Sequence, residues 1–260
     1  MKQQQPEQLR HPQPPQPSPT EARTLQARNS ATVWKTIGRA RGHEVTVRPG
    51  FVAVEGGERA GLRVLIQEPS LTREDRSALE DLVRAAKGPV NAEDPFGATD
   101  LAGLDLRSWQ MPVMLRNPAP APEPALEVVR AETPEDLEAA ERVVIAGFEL
   151  DGFLPYRAGE LFPGRLLEEP GLEIHLARYE GAPAGACLSL AADGIASHYW
   201  VGTSPNFRSR GVGRAVMAGS LTHLTHLPLT LTASKLGRPL YESLGYETAS
   251  LATWWGPRLT

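Results

Sequence analysis

The stretch that most constrains this chain runs from Ile195 to Leu224, where a strand-like run passes through a turn into a helix-like one. Ile195–Val201 (Ile-Ala-Ser-His-Tyr-Trp-Val) is rich in β-branched and aromatic residues, which suit a pleated, half-buried surface. Ser204-Pro205-Asn206 breaks that run with turn chemistry. Val212, Ala215, Val216, Gly219 and Leu224 then recur at helical spacing. Between the two lies Arg208-Ser-Arg-Gly-Val-Gly-Arg214. Gly211 and Gly213 carry no Cβ, so backbone N–H groups there can approach a ligand closely, and a helix N-terminus adds positive potential. Arg208, Arg210 and Arg214 suit the same anion, because guanidinium forks match phosphate oxygens. The two common nucleotide loops do not fit. A dinucleotide fingerprint needs a third glycine where this chain has Val216, and no Gly-Lys-Ser/Thr triplet follows Gly211.

Arg208, Gly211 and Gly213 do match the Arg/Gln-x-x-Gly-x-Gly/Ala signature of the GNAT superfamily of acyl-CoA-dependent N-acetyltransferases. Flanking blocks agree: Trp200-Val-Gly-Thr-Ser-Pro-Asn-Phe207 before the signature, and Ala233-Ser-Lys-Leu-Gly-Arg-Pro-Leu-Tyr-Glu-Ser-Leu-Gly-Tyr246 after it. Residues 126–255 therefore resemble a GNAT domain. The resemblance implies an α+β fold, with a mixed, mostly antiparallel twisted sheet flanked by helices. It also implies acetyl-CoA as co-substrate, no metal, and direct attack by an amine in a ternary complex. Carried over residue by residue, it assigns the cofactor's diphosphate to Arg208, Ser209, Arg210, Gly211, Val212, Gly213 and Arg214. The main chain of Val201, Gly202 and Thr203 would meet the thioester carbonyl, where the strand splays from its neighbour. Ser234 matches a position that bonds the pantetheine arm, or it caps a helix. Tyr241 matches the general acid that protonates the leaving thiolate, or it packs a helix on the sheet.

The general base is less legible. His198 has a suitable ordinary pKa. Strand alternation, however, puts Ser197 and Tyr199 on the side of Val201 and turns His198 and Trp200 away, unless a bulge reverses the parity. A water relayed through Tyr199 or Ser197 is the alternative. His223 and His226 sit three apart without a carboxylate or cysteine at ligand spacing, so no metal site is expected. Trp254 and Trp255 are candidates for the acceptor site or for a sheet-edge or homodimer contact.

The 260 residues suffice for two domains. Asn117-Pro-Ala-Pro-Ala-Pro-Glu-Pro124 can hold neither helix nor central strand and marks the boundary. Residues 1–30 read as a disordered Pro/Gln-rich tail, 31–116 as a smaller α+β unit, 117–124 as linker and 125–260 as the catalytic domain. In the first unit a helix over 31–41 precedes strands 44–48, 51–55 and 62–67, a helix capped by Thr72, a short strand near Val90, a helical piece at 100–104 and a strand over 109–115. That order repeats part of the second unit. Pro69-Ser-Leu-Thr-Arg-Glu-Asp75 stands at the signature position without a Gly-x-Gly, so the first unit reads as a degenerate GNAT-like half that binds no CoA, with an unrelated small α+β domain as the alternative. A net charge of −4 gives no bulk attraction to nucleic acid or anionic membrane. The single cysteine, Cys187, lies in an apolar run and reads as an inert core thiol. With no apolar leader and no spanning run, a cytoplasmic location is expected. The acceptor is expected to be a small amine probed by residues 147–171. A non-catalytic acyl-CoA sensor and a protein or peptide acetyltransferase are the alternatives.

Overall fold

The structure, a computed structural model, describes residues 17–257. Its first half holds α1 (Pro19–Arg41), β1 (Glu44–Val47), β2 (Phe51–Glu55), α2 (Gly57–Ala60), β3 (Leu62–Ile66), α3 (Arg73–Ala85), β4 (Val90–Asp94) and β5 (Leu106–Arg116). The second holds β6 (Glu127–Arg130), α4 (Pro134–Gly147), β7 (Leu172–Tyr179), β8 (Ala182–Ala192), β9 (Ile195–Thr203), α5 (Val212–Leu221), β10 (Leu229–Thr232), α6 (Arg238–Glu242) and β11 (Glu247–Pro257).

All these strands join one mixed, mostly antiparallel sheet, in the order β1-β2-β3-β4-β11-β5-β10-β9-β8-β7-β6. The order exposes an exchange. The last strand of the second half, β11, pairs with β4, while the last strand of the first half, β5, pairs with β10. The two exchanged strands also pair with each other, from Glu247↔Leu115 to Pro257↔Leu106. Parallel pairs occur at equivalent places, β3 with β4 and β9 with β10, so the halves echo each other in topology.

The tail expectation is corrected in part. Residues 1–16 lie outside the described residues, but α1 begins at Pro19 rather than at 31. Ser18 caps it through Glu21 N, Glu21 returns the bond to Ser18 N, and Gly42 ends it in the left-handed conformation. The helix crosses the sheet and touches strands of both halves. Val33 and Ile37 pack its second half into the core, while in its first half Gln26, Asn29 and Ser30 are buried and bond the sheet. Asn29 Nδ2 donates to Leu190 O at 3.2 Å, and Thr230 Oγ1 donates to Gln26 Oε1 at 2.5 Å. Ser30 Oγ donates to Glu93 Oε2 at 3.0 Å. Such bonds replace an apolar stripe, which is why the sequence from 19 to 30 does not look like a core helix.

The proline segment forms neither helix nor strand. It is held by buried Arg116, whose Nη2 donates to Ala119 O and Pro120 O while Nε donates to Leu244 O. The long connection after α4 is equally well anchored. The buried carboxylate of Glu141 accepts from Tyr156 OH and from the N–H groups of Gly159, Leu161 and Phe162. From the first half, Arg41 donates twice to Leu161 O and Arg59 pairs with Glu160.

Candidate active site

The strand β9 shapes the site. Its pairing with β10 stops at Thr230↔Ser197, so the edge from Tyr199 to Thr203 that faces β10 is unpaired. On the other edge, Leu188↔Tyr199 is followed by Ala186↔Gly202, so Cys187 alone stands opposite Trp200 and Val201. This is a bulge, and Trp200 takes φ of 48° within it. The bulge reverses the side-chain parity. Val201 packs with Val212 and Val216 on the α5 side, with His198, whose ring bonds Ser220 of that helix. Tyr199 and Trp200 lie on the opposite side, against the cluster built by α1, α4 and the 147–171 connection. Tyr199 therefore does not share the face of Val201.

Nor does His198 offer a free ring nitrogen. Ser220 Oγ already donates to Met217 O, so His198 Nε2–H donates to Ser220 Oγ at 2.9 Å, and Tyr246 OH meets Nδ1 at 3.1 Å. Burial pushes its pKa down to about 3. Ser197 is completely buried and bonds Thr230 Oγ1 at 2.6 Å, within a network that reaches Gln26. Tyr199 OH donates to Asn29 Oδ1 at 2.7 Å, and burial holds its phenol well above the ordinary range. All three residues bind the sheet to α1 or α5.

After β9 the chain turns through Pro205–Phe207 into α5. Ser209 and Gly211 both take positive φ, 61° and 78°, and the first turn of α5 has no side-chain cap. Its N–H groups therefore await an acceptor, in a backbone shape that favours anions. A Cβ at Gly211 would meet nothing within 4 Å. Gly213 differs: its missing Cβ faces Leu240 Cδ2 at 3.3 Å and Thr203 Oγ1 at 3.5 Å, so this glycine lets α6 pack on α5. The arginines are engaged with protein groups. Arg208 donates to Gly147 O, Arg210 lies over the Tyr179 ring, and Arg214 donates to Ser243 Oγ. Ser234 Oγ accepts from Gly237 N at 3.1 Å, so it caps the turn before α6.

The unpaired edge of β9 opens on a cavity of ≈ 380 Å³. Val201, Ser234 and Tyr241 line it from the second half. Tyr241 stacks edge-on to Tyr246, and burial raises its phenol above the ordinary value. The opposite wall belongs to the first half: Trp34 and Arg41 of α1, Arg63 of β3 and Glu93 of β4. Trp254 joins them on β11, which is a central strand, while Trp255 is buried in the first-half core. Neither tryptophan lies at a sheet edge. The guanidinium of Arg63 lies 4.6 Å from the Trp34 ring and 4.5 Å from that of Trp254. Its Nη2 donates to Glu93 Oε2 at 2.8 Å. Burial raises the Glu93 carboxyl, against the pull of the Arg63 charge, and lowers Arg41 to about 10. Sequence reasoning missed this wall. Its one local signal was the acidic pair Glu93-Asp94 inside a strand-like run.

Residues 138–253 match the family model of the acetyltransferase (GNAT) domain. Solved structures with this fold span nearly the whole chain. A GCN5-related N-acetyltransferase from Kribbella flavida superposes with a TM-score of 0.61 at 22% identity, covering 90% of this chain and 96% of the other. A GNAT-family protein from Novosphingobium aromaticivorans gives 0.55 at 15%, covering 83% and 92%. A GCN5-related N-acetyltransferase from Sphaerobacter thermophilus gives 0.52 at 16%, covering 92% and 93%. The curated proteins compared with the chain give no match. The class is thus an acetyltransferase fold, and the chain carries a GNAT acetyltransferase domain over residues 138–253.

Proposed function

We propose that the chain transfers the acetyl group of acetyl-CoA to a primary amine of a small molecule, by direct attack in a ternary complex. The observation that carries this reading is the meeting of the unpaired β9 edge and Tyr241 in one cavity walled by both halves. The free N–H groups of Gly211, Val212, Gly213 and Arg214 fit a diphosphate, with Arg208, Ser209 and Arg210 around them. The main chain of Val201, Gly202 and Thr203 would bind the arm and polarise the thioester carbonyl, beside Ser234. Acetyl-CoA supplies the activated acyl group. Tyr241 then holds a proton for the leaving thiolate, in a setting where burial keeps the phenol protonated.

A cavity of ≈ 380 Å³ with α1 and the anchored 147–171 connection in its walls suits a small acceptor better than a peptide. The first half, on this reading, is a GNAT-like unit that binds no CoA. Its β3 and β4 stay paired from Leu62↔Val90 to Leu65↔Glu93, without a splay. Asp75 fills the start of α3, where it pairs with Arg48 at 2.6 Å and accepts from Gly50 N. Thiol release from acetyl-CoA, followed over a panel of small amines and N-terminal or lysine peptides, tests the function. Amine-dependent release with the small acceptors is expected. Acetyl-CoA binding without turnover would make the protein a sensor, and release with peptides alone would make it a peptide acetyltransferase.

A further inference from the structure

Arg41, the last residue of α1, lines the cavity, and its guanidinium lies 5.7 Å from the rings of both Phe153 and Trp200. It is held by one edge: Nε and Nη2 both donate to Leu161 O, at 3.0 and 2.8 Å. The outer edge, formed by Nη1 and the second N–H of Nη2, has no partner among the described residues. Such an edge is the fork that takes a carboxylate through two parallel hydrogen bonds. The two acids whose charges reach Arg41 are committed elsewhere. Glu141 accepts from Tyr156 OH and from the N–H groups of Gly159, Leu161 and Phe162, and Glu160 pairs with Arg59.

Arg63, the other cation in the lining, already has its carboxylate. Its Nη2 donates to Glu93 Oε2 at 2.8 Å, and its guanidinium lies between the Trp34 and Trp254 rings. Arg41 is therefore the one lining cation without an ion-pair partner among the described residues. A charge drawn out of water without a counter-ion is costly, so its place in the wall of a cavity points to an anion that the ligand brings.

We infer that the acceptor is an amino acid with an apolar side chain, and that Arg41, from the first half, binds its carboxylate. The inference rests on the acetyl-transfer reading above and names the acceptor within it. The apolar side chain would lie among Trp34, Phe148, Phe153, Trp200 and Trp254, which line the same cavity. With Arg63 paired to Glu93, the acceptor's carboxylate offsets the charge of Arg41. A simple amine would leave that charge in place and add its own. Transfer leaves the carboxylate untouched: the C–N bond forms as the C–S bond breaks. Of the ammonium's three protons, one stays on the amide, one reaches the thiol by way of Tyr241 and one leaves to solvent.

The test compares L-phenylalanine with L-phenylalaninamide, which keeps the shape and loses the negative charge, in wild type, Arg41→Gln and Arg41→Lys. Wild type should favour phenylalanine by roughly 10²-fold in kcat/KM. Arg41→Gln should bring that ratio close to one, mainly by raising KM for phenylalanine. Arg41→Lys keeps the charge without the fork, so it should retain part of the preference even if the Gln variant folds poorly. Because both acceptors are measured on the same variant, a general loss of folded enzyme lowers both rates and leaves the ratio unmoved. Calorimetric titration of phenylalanine into the CoA-bound protein gives a readout without turnover, with binding weaker by roughly ten-fold or more in Arg41→Gln. A wild type that uses the two acceptors equally, or a ratio and affinity unchanged in Arg41→Gln, would overturn the inference. Arg41-dependent phenylalanine binding by a wild type that transfers no acetyl group would overturn only the reading on which the inference rests.

Discussion

Tyr241 and His198 line the same cavity, yet burial shifts them to opposite ends of the pH scale. The Tyr241 phenol is raised above its ordinary value, so its donor form persists across the range in which enzymes are assayed. Tyr241→Phe keeps the ring beside Tyr246 and removes only the proton. It should lower kcat by roughly 10²–10⁴-fold and leave acetyl-CoA affinity unchanged; near-normal turnover would take Tyr241 out of the mechanism. The depressed histidines act on stability instead. His198 sits at about 3 and His175 at about 4, both through burial, against an unfolded value near 6.5. The unfolded chain therefore binds more protons below that pH, so stability is full above about pH 6.5 and falls as pH drops towards 4. For His175→Gln, denaturant unfolding should give a profile flatter than wild type by about 1 kcal/mol per pH unit in that window. Parallel profiles would show that His175 does not contribute.

At the scale of elements, the passage from turn to helix after β9 was legible because it is local. Turn, glycines and helix start follow each other within Ser204–Leu221, and the structure puts them there. The bulge in β9 was not legible, because Trp200 holds positive φ without being glycine. That single residue decides which side chains share a face, and so His198, Ser197 and Tyr199 could not be sorted from alternation alone. The first 12 residues of α1 were missed for the opposite reason, since its buried face bonds rather than packs. Gly211 is the cradle position where a test is clean. Gly211→Ala adds a Cβ that touches no protein atom, although the left-handed backbone adds strain of about 1–2 kcal/mol. Titration calorimetry should show acetyl-CoA binding weakened at least ten-fold, with a folded protein by circular dichroism. Unchanged affinity would mean that the α5 N-terminus does not hold the diphosphate.

The exchange of β5 and β11 belongs to the whole molecule, and no local pattern announced it. The proline segment separates the halves in sequence, but the strands on either side of the central β5–β11 pair belong to opposite halves. Partner choice between strands depends on contacts more than a hundred residues apart, which periodicity does not record. The same exchange brings residues of β3, β4 and α1 to the cavity that the unpaired β9 edge opens on. The cavity is thus divided: Val201, Ser234 and Tyr241 line it from the second half, and Trp34, Arg41, Arg63 and Glu93 from the first. The most direct test is the stoichiometry of acetyl-CoA binding to the intact chain by titration calorimetry. One site per chain, weakened at least ten-fold by Gly211→Ala and untouched by Asp75→Asn, is the expected result. Two equivalent sites, or a single site of unchanged affinity in Gly211→Ala, would contradict the division.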